Sequence, residues 1–321
     1  YTAGGQLTEA ASKLESFGSG ETIKVGSGDN VVIGGQGADT VIATSVIGSE
    51  NIVLGDGGSA TFAENGDRID ISTGSPAQGG IDTITLGDSD NLVLGGASGD
   101  EITTGSGSDL IVGDHGSVAY GADGVIDSIM TSDASVGGND VIDSGAGSSV
   151  VLGGFGGDDL TGGADADLVV GDNGVVTYAS GELSQVKTTD SGTTTGGVDT
   201  IDVGSGANTV IGGIGGDTID SAGEADEIDN VIGDNGAIDF AAGGSLASGD
   251  ATWIASTDSD DSLGGDDIIT TGNGINRIIG GAGSDTVTGG SGIDHVLGDH
   301  GSLTYTAGGQ LTEAASKLES F

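Results

Sequence analysis

The chain has 321 residues, of which 69 are glycine and one is proline, and its 50 acidic residues outweigh 6 basic ones for a formal charge of −44. Six scattered cations build no basic patch, which excludes nucleic acid and anionic membrane surfaces as partners; the lack of cysteine excludes a disulfide framework and a thiol nucleophile. With no run of about 18 apolar residues, no membrane insertion is expected, and ordering so much glycine in so acidic a chain needs an offsetting source of free energy.

The chain opens on YTAGGQLTEAASKLESF (1–17), which returns unchanged as 305–321 and implies a tandem unit with a period of 304 residues. Tyr1 in place of Met reads as a piece of something longer, and residues 1–10 hold neither a charged nor an apolar leader region, so no secretory signal is expected within them. Five related modules follow at 18–62, 79–120, 137–178, 196–240 and 264–305. Each opens on Gly-Ser or Gly-Gly, passes a central Gly-Gly loop and closes on G-D-x-G-x-x-x-aromatic: GDGGSATF (55–62), GDHGSVAY (113–120), GDNGVVTY (171–178), GDNGAIDF (233–240) and GDHGSLTY (298–305). Inside the modules a polar residue recurs every nine positions and opens a short apolar strand. The second module gives Asp82, Asn91, Asp100 and Asp109, the third Asp140, Ser149, Asp158 and Asp167, and the fifth Asp267, Asn276, Asp285 and Asp294. Modules one and four carry the phase at Asn30 and Asp39, and at Asp199, Asn208, Asp217 and Asp226. Between strands lie loops of the form G-G-x-G-x-D-x-U, with U aliphatic: GGQGADTV (34–41), GGFGGDDL (153–160), GGIGGDTI (212–219), GGAGSDTV (280–287) and GGSGIDHV (289–296).

The inserts at 63–78, 121–136, 179–195, 241–263 and 306–321 read as hairpins that leave the modules and return, as in SVAY-GADG-VIDSIM and VVTY-ASGE-LSQVKTT. LTEAASKLESF is read as strand by analogy with its neighbours, with a short helix as the alternative. Phe62, Tyr120, Tyr178, Phe240 and Tyr305 close the modules and are expected as core plugs at the junctions with the inserts. Trp253 marks either a contact surface or a buried hairpin position. His115 and His300 fill the slot of Gly57, Asn173 and Asn235 and read as loop variants, and His295 is the variable residue after Asp294, so none of the three is expected to be catalytic. Neither H-E-x-x-H nor G-x-S-x-G occurs, and the chain is expected not to be an enzyme.

In these loops and their nine-residue spacing the chain resembles the repeats-in-toxin (RTX) calcium-binding nonapeptide family, over about two-thirds of its length. The fold implied is all-β, a parallel β-roll or β-solenoid of nonapeptide coils with β-hairpin inserts, repeated five times per period. Nine residues make a strand and a turn and eighteen a full coil, so loops eighteen apart stack on one edge. Val41, Ile102, Leu160, Ile219 and Val287 then point into a thin core between two sheets. Calcium takes 6–8 hard oxygen ligands, and the resemblance implies that loop aspartates and glycine carbonyls supply them. The side-chain ligands expected on one edge are Asp39, Asp82, Asp100, Asp140, Asp158, Asp199, Asp217, Asp267 and Asp285, with Asp56, Asp114, Asp172, Asp234 and Asp299 of the G-D-x-G closings. On the other edge they are Asn30, Asn91, Asp109, Asp167, Asn208, Asp226, Asn276 and Asp294. Carbonyl ligands are expected from Gly35, Gly37, Gly96, Gly154, Gly156, Gly213, Gly215, Gly281, Gly283, Gly290 and Gly292. Two layers per module on the first edge and one on the second, over five modules, give roughly fifteen Ca2+ per chain, about +30 against −44. The Asn-bearing edge is expected to bind more weakly, and weakest at Ser149.

The leading expectation is a calcium-dependent structural repeat of an extracellular adhesin stalk, surface layer or matrix fibre, with neighbouring tandem copies as partners and lateral association left open. Chains of the resembled family leave the cell unfolded by a type I route and fold on external calcium. The alternatives are an accessory region of a secreted hydrolase, and an ice- or ligand-binding roll; the loop positions Ser27, Ala146, Ser205 and Asn273 form no threonine rank.

Overall fold

The structure is a computed structural model that describes residues 2, 5–12, 18–44, 47–74, 79–221, 223, 227–258 and 262–317. Among these, helix is confined to one 3-10 turn at Leu246–Ser248. Everything else that is regular is strand, in two ten-stranded parallel sheets and one eleven-stranded antiparallel sheet.

The two parallel sheets are the roll. The chain alternates between a front sheet, running from Thr22–Val25 to Thr286–Thr288, and a middle sheet, running from Asn30–Gly35 to Gly292–Asp299. Each coil is one front strand and one middle strand, and coils stack in register: Ile102 lies between Ile84 and Ile142, and Ile111 between Val93 and Val151. Front strands such as Glu101–Thr103 bury only their central residue, because one face meets the middle sheet and the other meets solvent. Their central residues, including Val41, Ile102, Leu160 and Ile219, join Val93, Ile111, Val151 and Val169 in one apolar cluster, with Val287 packed on it. The outward face of the front sheet does carry threonines, at Thr83, Thr85, Thr103, Thr161, Thr200, Thr218, Thr286 and Thr288, but Glu101, Asp143, Asp159 and Asp202 interrupt them.

The inserts differ from isolated hairpins. Their strands and the module-closing strands join edge to edge into one outer sheet, in the order Glu9–Ala11, Gly58–Phe62, Arg68–Thr73, Gly116–Tyr120 and onward to Leu311–Ser316. This sheet lies against the second face of the middle sheet, so Leu92, Leu94, Leu152 and Val170 pack on Ile71, Val118, Ile129 and Val186 in a second core. The middle strands therefore read as unbroken apolar triplets, Leu110–Val112 (LIV) and Leu168–Val170 (LVV), the pattern of a sheet buried on both faces. Each closing aromatic sits where the hairpin register shifts, at Thr61/Phe62, Ala119/Tyr120, Thr177/Tyr178, Asp239/Phe240 and Thr304/Tyr305, and all five pack on this core. Such bulges bend the strand and re-aim a side chain, here toward the apolar layer. Leu311–Ser316, in the LTEAASKLESF segment, is strand.

Two side chains at the outer layer complete the picture, one on the outer strand Ala251–Ser256 and one on the middle strand Gly274–Gly281 that faces it. Trp253 is half-buried and pairs across the sheet with Asp239 and Thr304. Arg277 is fully buried, donates to Asn230 Oδ1, Gly249 O and Ala251 O at 3.0–3.3 Å, and lies 4.0 Å from the centre of the Tyr305 ring.

Candidate metal centres

Two rims carry the polar residues of the nonapeptides. On the first edge the chain crosses from middle to front sheet, through either a G-G-x-G-x-D loop or a G-D-x-G closing and its hairpin. Each front strand is preceded there by one acidic residue, in the stacking order Glu21, Asp39, Asp82, Asp100, Asp140, Asp158, Asp199, Asp217, Asp267, Asp285. The backbone N–H of each donates to Oδ1 of the next, at 2.6–3.1 Å, in an unbroken ladder. The ladder passes through the boundaries between modules, so the layers on this edge are continuous and not two per module.

Oδ1 is thus engaged and Oδ2 is not. In Asp39, Asp82, Asp100, Asp140, Asp158, Asp199, Asp217, Asp267 and Asp285 the Oδ2 atom is buried without a hydrogen-bond donor. A Cβ added to Gly95 would stand 2.6 Å from Asp100 Oδ2 and collide with the Gly113 carbonyl oxygen, so only glycine lets the carboxylate and the next coil's carbonyl approach. Gly96, beside it, holds φ 123°, which an L side chain would resist, and turns its peptide into the rim.

Burial, then repulsion from neighbouring carboxylates, raises the acids of this edge. Asp100 is pushed up to about 10, by burial first and then by Asp140, Asp82 and Asp56. Burial likewise takes Asp82 to about 7 and Asp199 and Asp267 to about 8, and Asp140 and Asp217 well above the carboxylate range. Among the described residues the one ion pair, Arg68–Glu50, joins an outer-sheet strand to a middle-sheet strand and supplies no counter-charge here. A buried row of like charges with idle oxygens is what a hard cation neutralises.

The second edge is chemically milder. It stacks Asn30, Asn51, Asn91, Asp109, Ser149, Asp167, Asn208, Asp229, Asn276 and Asp294. Asn91 donates to Asp109 Oδ1 at 2.8 Å, Asn51 to Asn91 Oδ1 at 2.8 Å, and Asp109 N–H to Ser149 Oγ at 3.3 Å. Idle buried oxygens remain here at Asp109, Asp229 and Asn276, and Asp167 Oδ2 accepts the Gly163 amide at 2.9 Å. Asp226 lies outside the described residues. Asn51 and Asp229 were missed by the nine-residue count because the three extra residues of modules one and four fall in these loops, making the steps from Asn30 to Asn51 and from Asn208 to Asp229 each 21 residues.

The closing aspartates form a third set. Asp56 accepts the Gly80 and Ala97 amides at 3.2 and 2.5 Å, and Asp114 the Gly138 and Phe155 amides at 3.0 and 2.5 Å. Asp172 and Asp234 take the amides of Gly197 and Ile214, and of Gly265 and Ala282. Both oxygens of each are engaged, so these four staple one module to the opening of the next. Asp299 and Asp294, on the last coil, are exposed.

The glycines singled out for carbonyl ligation lie in the rim loops. Gly35, Gly37, Gly96, Gly154, Gly156, Gly213, Gly215, Gly281 and Gly283 are on the first edge and Gly292 on the second, all at positive φ; Gly290, also on the second, donates its N–H to Gly272 O at 3.1 Å. Among the described residues no three acidic or histidine side chains gather into one cluster. Carbonyl oxygens must therefore complete any coordination shell, which suits calcium, a taker of carbonyls as readily as carboxylates.

The profile of the RTX calcium-binding nonapeptide repeat (4 copies) matches residues 17–45, 77–116, 136–169, 150–175, 193–228 and 261–296, together more than half of the chain. No curated protein matches it. Coil for coil these stretches are the rims and strands described above, and the chain belongs to the RTX calcium-binding nonapeptide repeat family, as a calcium-binding structural repeat region.

Proposed function

We propose that the first-edge aspartates hold calcium between successive coils and that the ion-filled roll serves as a stiff, non-enzymatic segment of an extracellular adhesin stalk, surface layer or matrix fibre. The observation that carries this reading is the row of nine buried Oδ2 atoms without a donor. Calcium would supply the positive charge this row lacks. The chain's own contribution is to fix Oδ1 by the backbone ladder, aim Oδ2 and glycine carbonyls inward, and keep the rim narrow with glycine. Nine first-edge positions make a tight class, and the Asn- and Ser-bearing edge a weaker one that brings the total toward fifteen.

Folding and binding are one equilibrium in this reading. The repetition argues for length and stiffness over chemistry, and among the described residues no helix is long and apolar enough to cross a membrane. Far-UV circular dichroism tests the proposal: a β-rich spectrum in millimolar calcium is expected to collapse to that of a disordered chain in excess chelator and to return on adding calcium back. A spectrum indifferent to chelator would refute it. The acidic breaks in the front-sheet threonines count against ice binding, and no thermal hysteresis is expected.

A further inference from the structure

We infer that successive 304-residue periods form one uninterrupted roll, in which the repeated 17-residue segment contributes a single outer-sheet strand shared by two periods. This rests on the tandem reading above and is independent of which ions bind.

Both halves of the junction are visible in one chain. Near the start, Glu9, Ala10 and Ala11 pair with Thr61, Ala60 and Ser59 of the first closing strand. Near the end, the same three residues, as Glu313, Ala314 and Ala315, pair with Thr304, Leu303 and Ser302 of the last closing strand. An internal return strand makes both pairings at once: Ser128, Ile129 and Met130 face Ala119, Val118 and Ser117 on one side and Thr177, Val176 and Val175 on the other. The registers agree position for position. Overlaid, the two ends of the chain give the same three-strand arrangement, Leu303 to Ala314 (Ala10) to Ala60, with no slip. A one-residue slip would turn every side chain to the opposite face.

Side chains repeat the match. Ser12 Oγ accepts the Gly58 amide at 2.9 Å, as Thr131 Oγ1 accepts the Gly174 amide at 3.1 Å and Ser256 Oγ the Gly301 amide at 3.0 Å. Its counterpart Ser316 stands opposite Gly301, so one serine end serves both neighbours.

The rims also stay in step. Residue 21 of a following period falls 40 residues after Asp285, the separation of Asp100 and Asp140 in the first-edge ladder. Residue 30 falls 40 after Asp294, the separation of Asp109 and Ser149 on the second edge. Residues 19 and 36 fall 24 and 41 after Asp299, the separations at which Asp114 accepts the Gly138 and Phe155 amides. Asp299 is exposed in the single period, as are Ile293 and Val296 of the last coil, at 56% and 45%. The occupant that fits this open end in register, chemistry and spacing is the first coil of another copy.

The test compares one period with two consecutive periods in saturating calcium. Small-angle scattering should show the longest dimension growing by about 48 Å, ten coils at about 4.8 Å each, with the cross-section unchanged. A bent or thickened two-period particle overturns the inference. Asp299→Ala, which removes both carboxylate acceptors, gives an independent reading. It should leave the melting of a single period unchanged, yet strip hydrogen-exchange protection from the Ser19 and Gln36 amides of the second copy. Protection equal to that of the parent overturns the proposed contact. Calcium uptake by the single period is read separately, so a bent particle that binds calcium normally overturns the junction alone.

Discussion

A carboxylate between two stacked coils has one oxygen fixed by an amide and one buried without a donor, and that asymmetry sets what single substitutions should do. Asp100→Asn keeps the shape and the Oδ1 acceptor but removes the charge that burial and Asp140 make unfavourable. Two effects of opposite sign are expected: fewer calcium ions bound and a lower melting temperature with calcium, and a slightly more structured chain without it. Isothermal titration and thermal melts in both conditions check this, and a loss in both would mean that Asp100 is only a structural acceptor. Asn91→Asp should do the reverse and strengthen uptake on the second edge. Protons should compete with calcium. Asp82 near 7, and Asp199 and Asp267 near 8, lie above the ordinary value of about 3.9 for an unfolded Asp. The metal-free roll therefore holds more protons than the unfolded chain from pH ~4 to ~8, and its stability falls as pH rises through that window. Circular dichroism in chelator should show most β-structure near pH 4 and least near pH 8; a flat profile would contradict the assignment. At this scale the nine-residue phase made the Asp ladder readable from sequence. Asn51 and Asp229 escaped it because spacing alone does not say where three inserted residues are absorbed.

The elements hold together through two apolar layers, only one of which the repeat pattern announced. Central residues of the front strands, such as Ile102, were legible as core because a strand between two rims buries alternate positions. The outer sheet was not: each hairpin is local in sequence, but its pairing with the next hairpin spans a whole module, as between Ile129 and Val176. The hint lay in middle strands apolar at three successive positions, which a two-sheet roll does not require. If the outer layer is a true core, Ile129→Ala should destabilise the calcium-bound form by about 2–5 kcal/mol, as much as Ile102→Ala. Val141→Ala, at a position 51% exposed, should change it by less than about 0.5 kcal/mol. Chemical denaturation in calcium measures all three. An Ile129→Ala cost as small as that of Val141→Ala would show the outer sheet to be decoration.

At the scale of the whole molecule, ten coils of about 4.8 Å make a body roughly 48 Å long, below the 80 Å or so that counting all 304 residues as plain coils would give. The difference is the chain spent on the outer sheet, which thickens the roll and adds no length. In such a stack each coil touches only its neighbours and stability accumulates along the axis, so ions held between layers would stiffen the whole by joining adjacent rims. The most direct measurement is anomalous diffraction from crystals grown in calcium. The expected map has a row of calcium peaks along the first edge, one beside Oδ2 of each ladder aspartate from Asp39 to Asp285, and weaker peaks on the second edge. A first edge without peaks, its aspartates turned to solvent or paired as neutral acids, would contradict the role assigned to calcium.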